Sequence, residues 1–209
     1  MSTKPSIECA KNGPLLVKGL SSLVDLRDGA EIETRDLIAL CRCGASHRKP
    51  FCDGGHTAVA FDDAKSPERT PDRREDYVGQ HLTVHDNRGI CAHAGFCTDE
   101  LPEVFRMKDQ PWIVPDNAPE QALIETIESC PSGALSYTRD GVEHRDRQAS
   151  PKILVVPGGP YAVQGGVELK GVERGEGASQ EHFDLCRCGE SKNKPFCDGT
   201  HHGVSFDER

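Results

Sequence analysis

The string CRCGASHRKPFCDGGH, residues 41–56, returns almost unchanged as CRCGESKNKPFCDGTH at residues 186–201. Each copy sets out Cys, one residue, Cys, eight residues, Cys, three residues, His. Three thiols and an imidazole packed so densely, and twice, constrain the chain more than any other feature. Small domains bury too little surface to be secure alone and recruit disulfides or metals. The chain fits that case: of 209 residues only 35% are hydrophobic and 5% aromatic, with 21 Gly, 14 Pro and ten Cys. The N-terminal MSTKPSIECAKNGPLL has no apolar run of signal-peptide length, and no stretch is apolar enough to span a bilayer. A soluble cytoplasmic protein is therefore expected, with no membrane partner, where thiols stay reduced and clustered cysteines bind metal rather than one another. The formal net charge of −9 argues against nucleic acid, which calls for a basic patch, and suits docking to a basic partner protein.

The repeat extends beyond the cysteines. GPLLVKG (13–19) precedes the first motif and GPYAVQG (159–165) the second. Short strands are predicted over 15–17, 22–26 and 36–40 in the first copy, and over 161–163, 167–169 and 182–185 in the second, separated by Gly-containing turns. The tails TAVAFDD and HGVSFDE each read as one more strand, packed back by Phe61 or Phe206. Two equivalent β-rich units follow, residues 1–68 and 150–209. Between them, DDAKSPERTPDRRED (62–76) has the composition of an exposed linker. Residues 71–149 read as a compact α+β unit: a strand over 81–85, and a helix starting near Pro119 with Ala122, Ile124 and Ile127 toward a core. That helix stops at Cys130 and Pro131, and LSYTRDG gives a returning strand. Trp112 is expected to pack within this unit. Cys9 has no partner set and reads as a free thiol near a flexible end.

The spacing of the outer motifs admits an iron–sulfur cluster, a structural zinc or a catalytic thiol. Zinc accepts three Cys and one His, but its cysteines usually come with two to four intervening residues, and here one residue separates Cys41 from Cys43 and Cys186 from Cys188. One nucleophile would not need three thiols repeated together. No Ser/His/Asp set, phosphate-cradling loop or carboxylate pair marks an active site for an organic substrate, so no enzyme is expected. Arg42, Arg187, Lys49 and Lys194 read as solvated charges, with a supporting role near the thiols as the alternative.

Both strings resemble the signature of the CDGSH iron–sulfur domain family (mitoNEET-like proteins), C-x-C-x2-[ST]-x3-P-x-C-D-G-[STA]-H. The second copy matches throughout, with Ser191, Pro195, Asp198, Gly199 and Thr200; the first departs only at Gly55, where a small side chain is usual. The resemblance implies a [2Fe-2S] cluster in each copy, held by Cys41, Cys43, Cys52 and His56 and by Cys186, Cys188, Cys197 and His201. An imidazole in place of a thiolate makes a cluster less negative and raises its potential. It is also protonatable, so cluster loss in mild acid is expected. Single-motif members of the family are dimers that exchange strands, which implies an internal pseudo-dimer and a monomeric chain; solo units joined by a linker are the alternative.

In the middle unit, Cys91, His93, Gly95 and Cys97, followed by Cys130, Pro131, Ser132 and Gly133, resemble a divergent single-cluster ferredoxin. Ala94 stands where an ordinary ferredoxin has a further cysteine. Three thiolates imply a [3Fe-4S] cluster, or a [4Fe-4S] cluster if His93 is the fourth ligand; three unrelated buried cysteines are the alternative. The expected fold class is α+β: two β-rich CDGSH units around or beside a ferredoxin-like domain. The expected function is one-electron transfer between redox partner proteins. The alternatives are cluster storage, transfer to apo acceptors or sensing through the His-ligated sites, and a zinc-stabilised interaction module.

Overall fold

A computed structural model describes residues 4–204 and 206. The N-terminal third carries strands β1 (Ser6–Cys9), β2 (Leu15–Lys18), β3 (Leu23–Asp25), β4 (Ala30–Glu31) and β5 (Leu37–Leu40). The middle third carries β6 (Arg74–Val78), β7 (Leu82–Asn87), helix α1 (Phe96–Glu100), helix α2 (Glu120–Glu128), β8 (Leu135–Arg139) and β9 (Val142–His144). The last third carries β10 (Lys152–Val155), β11 (Tyr161–Gln164), β12 (Glu168–Lys170) and β13 (Phe183–Leu185). Among the described residues no helix is long and apolar enough to cross a membrane. The molecule is β-rich with few helices.

The strands of the two outer thirds interleave. One sheet runs β12-β1-β2-β5 and a second runs β13-β11-β10-β3-β4. β12 pairs parallel to β1, with Ile7 opposite Leu169, and β3 pairs parallel to β10, with Val24 opposite Leu154. The first sheet therefore carries one strand from the other end of the chain, β12, and the second carries two, β3 and β4. The cause lies in side-chain alternation. Leu15 and Val17 point inward while Leu16 and Lys18 do not, and β11 repeats this with Tyr161 and Val163. Strands this short each cover little area, so the two inner faces close one core from Ile7, Leu15, Val17, Leu23 and Leu40 together with Ile153, Tyr161, Val163, Phe183 and Leu185.

Tyr161 shows how tightly the two ends are joined. Its buried hydroxyl lies 2.9 Å from the carbonyls of both Cys41 and Pro50, donating between them across more than a hundred residues. Removing one partner of a buried hydrogen bond costs about 1 to 3 kcal/mol. Tyr161→Phe should lower the free energy of unfolding by that amount in a denaturant titration and loosen the N-terminal motif loop that carries Cys41 and Pro50, although the residue belongs to the C-terminal copy.

The middle unit is a four-stranded antiparallel sheet in the order β6-β7-β8-β9 with α2 packed on it. Leu123, Ile124 and Ile127 of α2 enter a core with Val84, Phe105, Ile113 and Tyr137. Ala122 is only half-buried, and Leu123 takes the inward place expected for it. Trp112 packs edge-on to Tyr77 at 6.4 Å and tilted on Phe105 at 5.8 Å.

Several expectations need correction. The tail after the first motif is not a strand. It forms a 3-10 turn over Gly55–Thr57 and then irregular backbone, with Phe61 buried. The corresponding tail forms a 3-10 turn over Thr200–Gly203, and beyond it residues 205 and 207–209 lie outside the described residues. The end of the presumed linker, Arg74–Asp76, belongs to β6. Cys9 lies in β1, half-buried against the core, where burial raises its thiol pKa.

Candidate metal centres

Each Cys-x-Cys-to-His string is a loop that leaves a strand and returns beside it. Cys41 N–H donates to the Pro50 carbonyl and Cys52 N–H to the Ala39 carbonyl, each at 2.8 Å. Cys186 and Cys197 repeat this with Pro195 at 2.8 Å and Asp184 at 3.0 Å. The motif hydroxyl closes the loop from inside: Ser46 Oγ donates to the Phe51 carbonyl at 2.6 Å and accepts from Arg48 N–H, and Ser191 does the same with Phe196 and Asn193. The motif aspartate pins the last turn. Asp53 accepts from the N–H groups of His47 and Gly55 at 2.9 Å, which hold its carboxyl down at about 2. Asp198 accepts from Lys192 N–H, Thr200 N–H and Thr200 Oγ1. The hydroxyl contact is the one the first copy lacks. A Cβ at Gly55 would already stand 2.9 Å from the Ala45 carbonyl, which accounts for the departure there.

This scaffold presents donors in pairs. Cys41 and Cys43 have sulfurs 3.7 Å apart and Cys186 and Cys188 3.8 Å apart. Cys52 Sγ lies 3.5 Å from His56 Nδ1, and Cys197 Sγ 3.3 Å from His201 Nδ1. Within each Cys-x-Cys pair one thiol hydrogen-bonds the other, so the first proton leaves below the ordinary thiol range, at about 5 for Cys41 and about 7 for Cys188. Burial raises Cys197. Burial first, and then the neighbouring His202, keep His201 down at about 4, so its imidazole is neutral at neutral pH, the form that binds a metal. Among the described residues no three His, Cys, Asp or Glu side chains converge on one point suited to a single ion. Within each motif the four side chains lie in one loop as two close pairs.

The motif arginines are not solvated. Arg42 is 2% exposed: its Nε donates to the Gly13 carbonyl, and its Nη2 to the Ala10 carbonyl and to Asp63 at 2.9 Å. Arg187 is 4% exposed and donates to the Val156 carbonyl. Both guanidiniums lie over a phenylalanine, Arg42 over Phe61 at 5.2 Å and Arg187 over Phe206 at 5.0 Å. The half-buried lysines cross between copies, Lys194 to Phe61 and Lys49 to Phe206. Burial outweighs the ordinary preference of arginine for water because the guanidinium donors meet carbonyls fixed by turns.

The two loops touch through their backbones. Cys43 and Cys188 form an isolated antiparallel bridge. Gly44 and Gly189 have φ of +77° and +87°, and a Cβ on either would stand 2.5 Å from the carbonyl oxygen of the opposite cysteine, so no larger residue fits.

In the middle unit, Cys91, Cys97 and Cys130 line one cavity of about 180 Å³ with Asp86, Arg88, His93, Met107 and Ser132. The structure thus brings the predicted trio together from three places: the turn after β7, the start of α1 and the turn after α2. Burial pushes Cys91 up to about 12 and Cys97 to about 11. His93 lines the same cavity, with Nδ1 3.2 Å from Arg88 Nη2. Asp86 was not foreseen. It is 2% exposed and its oxygens have no hydrogen-bond partner among the described residues, the Trp112 indole standing near it outside normal geometry; burial raises its carboxyl to about 7. Asp184, beside the C-terminal thiols, is buried in the same way where the first copy has Ala39. An acidic residue within a short strand carries no signal of its burial.

Comparison with known proteins agrees with this division. Residues 12–57 and 158–202 each match the family described as iron-binding zinc finger, CDGSH type, and residues 77–140 match the divergent 4Fe-4S mono-cluster family. Two curated relatives, both described as uncharacterized protein YjdI, come from Escherichia coli K12 and O157:H7. Each is 39% identical over 61 residues, covering 29% of this chain and 80% of the relative. No solved structure matches.

Proposed function

The chain belongs to the CDGSH iron-binding family, carrying two such domains around a divergent mono-cluster iron–sulfur domain, and from that premise we propose that it is a one-electron carrier between protein partners. Cys41, Cys43, Cys52 and His56 would hold one [2Fe-2S] cluster, and Cys186, Cys188, Cys197 and His201 a second. Cys91, Cys97 and Cys130 would hold a [3Fe-4S] cluster. The donor sets fit: pre-formed pairs suit a two-iron core with two protein donors on each iron, and soft thiolates suit iron–sulfur centres. Bound clusters supply reversible one-electron oxidation and reduction.

The burial of Cys186, Cys188 and Cys197, at 9% exposure or less, carries the reading. Thiols enclosed by a closed core retain what they hold, as repeated electron exchange requires and cluster donation does not. The loop hydrogen bonds fix the donors before anything binds. The reciprocal exchange of β3 and β12 supports an internal pseudo-dimer, with the two repeats as units 1–68 and 150–209, the middle unit over 71–149 and a monomeric chain. Reduced thiols suit a cytoplasmic site, the acidic surface suits basic redox partners, and no organic-substrate chemistry is proposed.

Cluster handling is the second reading, because Cys43 and Cys52 of the N-terminal copy are only half-buried. The matched middle family is described as a 4Fe-4S mono-cluster, which favours a [4Fe-4S] cluster as the second reading of the middle site; His93, which lines the same cavity, is then the proposed fourth ligand. Incubating the loaded, reduced protein with an apo-ferredoxin and, separately, with an oxidised electron acceptor distinguishes carriage from handling. Electrons should leave while iron stays. Transfer of iron to the apo acceptor with no electron delivery would replace the carrier reading with cluster handling.

A further inference from the structure

Among the described residues, the middle unit leans on the C-terminal CDGSH loop through His93 and Gly89. His93, two residues past Cys91 and at φ +55°, sets its side chain against Gly199, where a Cβ would stand 2.8 Å from His93 Cβ and 2.9 Å from Cδ2. The His93 carbonyl accepts a hydrogen bond from His202 Nε2 at 3.1 Å. The His202 ring lies 4.1 Å from that of His201, and His93 N–H donates to Cys91 Sγ at 3.4 Å. Beside this, buried Asn193 donates to the Gly89 carbonyl at 2.8 Å. A thiol of the middle cavity and the imidazole of the C-terminal motif are thus linked through two residues, His93 and His202, by two hydrogen bonds and one ring contact.

Among the described residues, the N-terminal copy does not repeat these contacts. Arg48, Gly54 and Thr57 hold the places of Asn193, Gly199 and His202. A Cβ on Gly54 would meet nothing within 4 Å, and the Thr57 hydroxyl turns back to the Gly54 carbonyl at 2.9 Å. That copy reaches the C-terminal one through the Cys43–Cys188 bridge instead.

We propose that His93, Gly199 and His202 couple the middle site to the C-terminal CDGSH site, so that the three sites are ordered middle, C-terminal, N-terminal. The proposal rests on the electron-carrier reading. One electron, supplied by a one-electron reductant such as dithionite, leaves one site as its neighbour gains it; no bond forms or breaks and no proton need move. Side chains in direct contact carry such coupling, and between two sites it is reciprocal.

The two copies provide matched tests. Gly54 and Gly199 both sit at positive φ, +92° and +80°, so alanine meets a similar backbone cost at each, and only at 199 does it collide with His93. In redox titrations of the full-length loaded protein, followed by EPR of the middle site, Gly199→Ala should change the ratio of oxidised to reduced middle site at fixed potential. The expected change is about fivefold or more, the lower range of site-to-site coupling. His202→Ala, an exposed substitution that leaves the proposed ligands in place, should shift it in the same way. Gly54→Ala and Thr57→Ala should leave the middle site unchanged. In the unaltered protein, reduction of the middle site should shift the C-terminal site by the same factor as reduction of the C-terminal site shifts the middle one, and His202→Ala should remove that response. If all sites take up electrons but the middle site ignores both Gly199→Ala and His202→Ala, or follows the N-terminal controls equally, the coupling is wrong and the carrier reading stands. If no site takes up electrons, both fall.

Discussion

His201→Cys is expected to lower the reduction potential of the C-terminal site by roughly 100 to 300 mV, about half the span between two-histidine and all-cysteine [2Fe-2S] centres. A fourth thiolate adds a negative charge to a donor set in which Cys186, Cys188 and Cys197 are already buried, and a buried charge acts through a low dielectric. The variant should also hold iron further into acid, because its ligands no longer include an imidazole that protons can take. The neighbouring N-terminal site should keep its potential and respond only to His56→Cys. Potentiometric titration with an acid-decay assay reads both effects. An unchanged potential and unchanged decay for His201→Cys would mean that His201 is not a ligand.

Truncation after Ser150 has the second large effect. It removes β10 to β13, and with them nine of the sixteen buried members of the outer core, Ile153, Val155, Tyr161, Val163, Val167, Leu169, Phe183, Leu185 and Phe196. β1 loses its parallel neighbour and β3 loses β10. The remaining copy cannot bury its inner face alone. In the intact chain the tether keeps the second copy at high effective concentration, so pairing within the chain outcompetes pairing between chains. The truncated protein should therefore either dimerise or lose the iron of the N-terminal motif, whereas the full chain should be a monomer by light scattering. A truncated monomer that retains that iron stably would show the copies to be independent.

What the sequence disclosed follows the range of the interactions. The proposed donors at Cys41, Cys43, Cys52 and His56, and their repeat, are local in one loop, so a resemblance confined to that one string is enough to name them. Cys130 lies far along the chain from Cys91, and resemblance rather than spacing placed it in the same cavity. The exchange of β3 and β12 was not legible strand by strand, since Leu23–Asp25 and Glu168–Lys170 look alike as short strands and alternation does not name a partner. β1 and β10 were overlooked because four-residue strands next to termini and linkers give little periodicity. Arg42 and Arg187 were read as solvated because burial of a guanidinium depends on carbonyls that only the folded turns bring to it. His93 drew attention as a ligand candidate, yet its packing against Gly199 involves two parts of the chain over a hundred residues apart, which a single sequence does not connect.

Iron and acid-labile sulfide analysis of the full-length protein, combined with low-temperature EPR of oxidised and reduced samples, tests the central claim most directly. Two [2Fe-2S] clusters and one [3Fe-4S] cluster give about seven iron and eight sulfide per chain. The oxidised protein should show a single signal, lost in Cys130→Ser, because oxidised [2Fe-2S] centres are spin-paired, and further signals should appear only on reduction. A colourless protein holding stoichiometric zinc, with no sulfide and no signal in either state, would contradict the account.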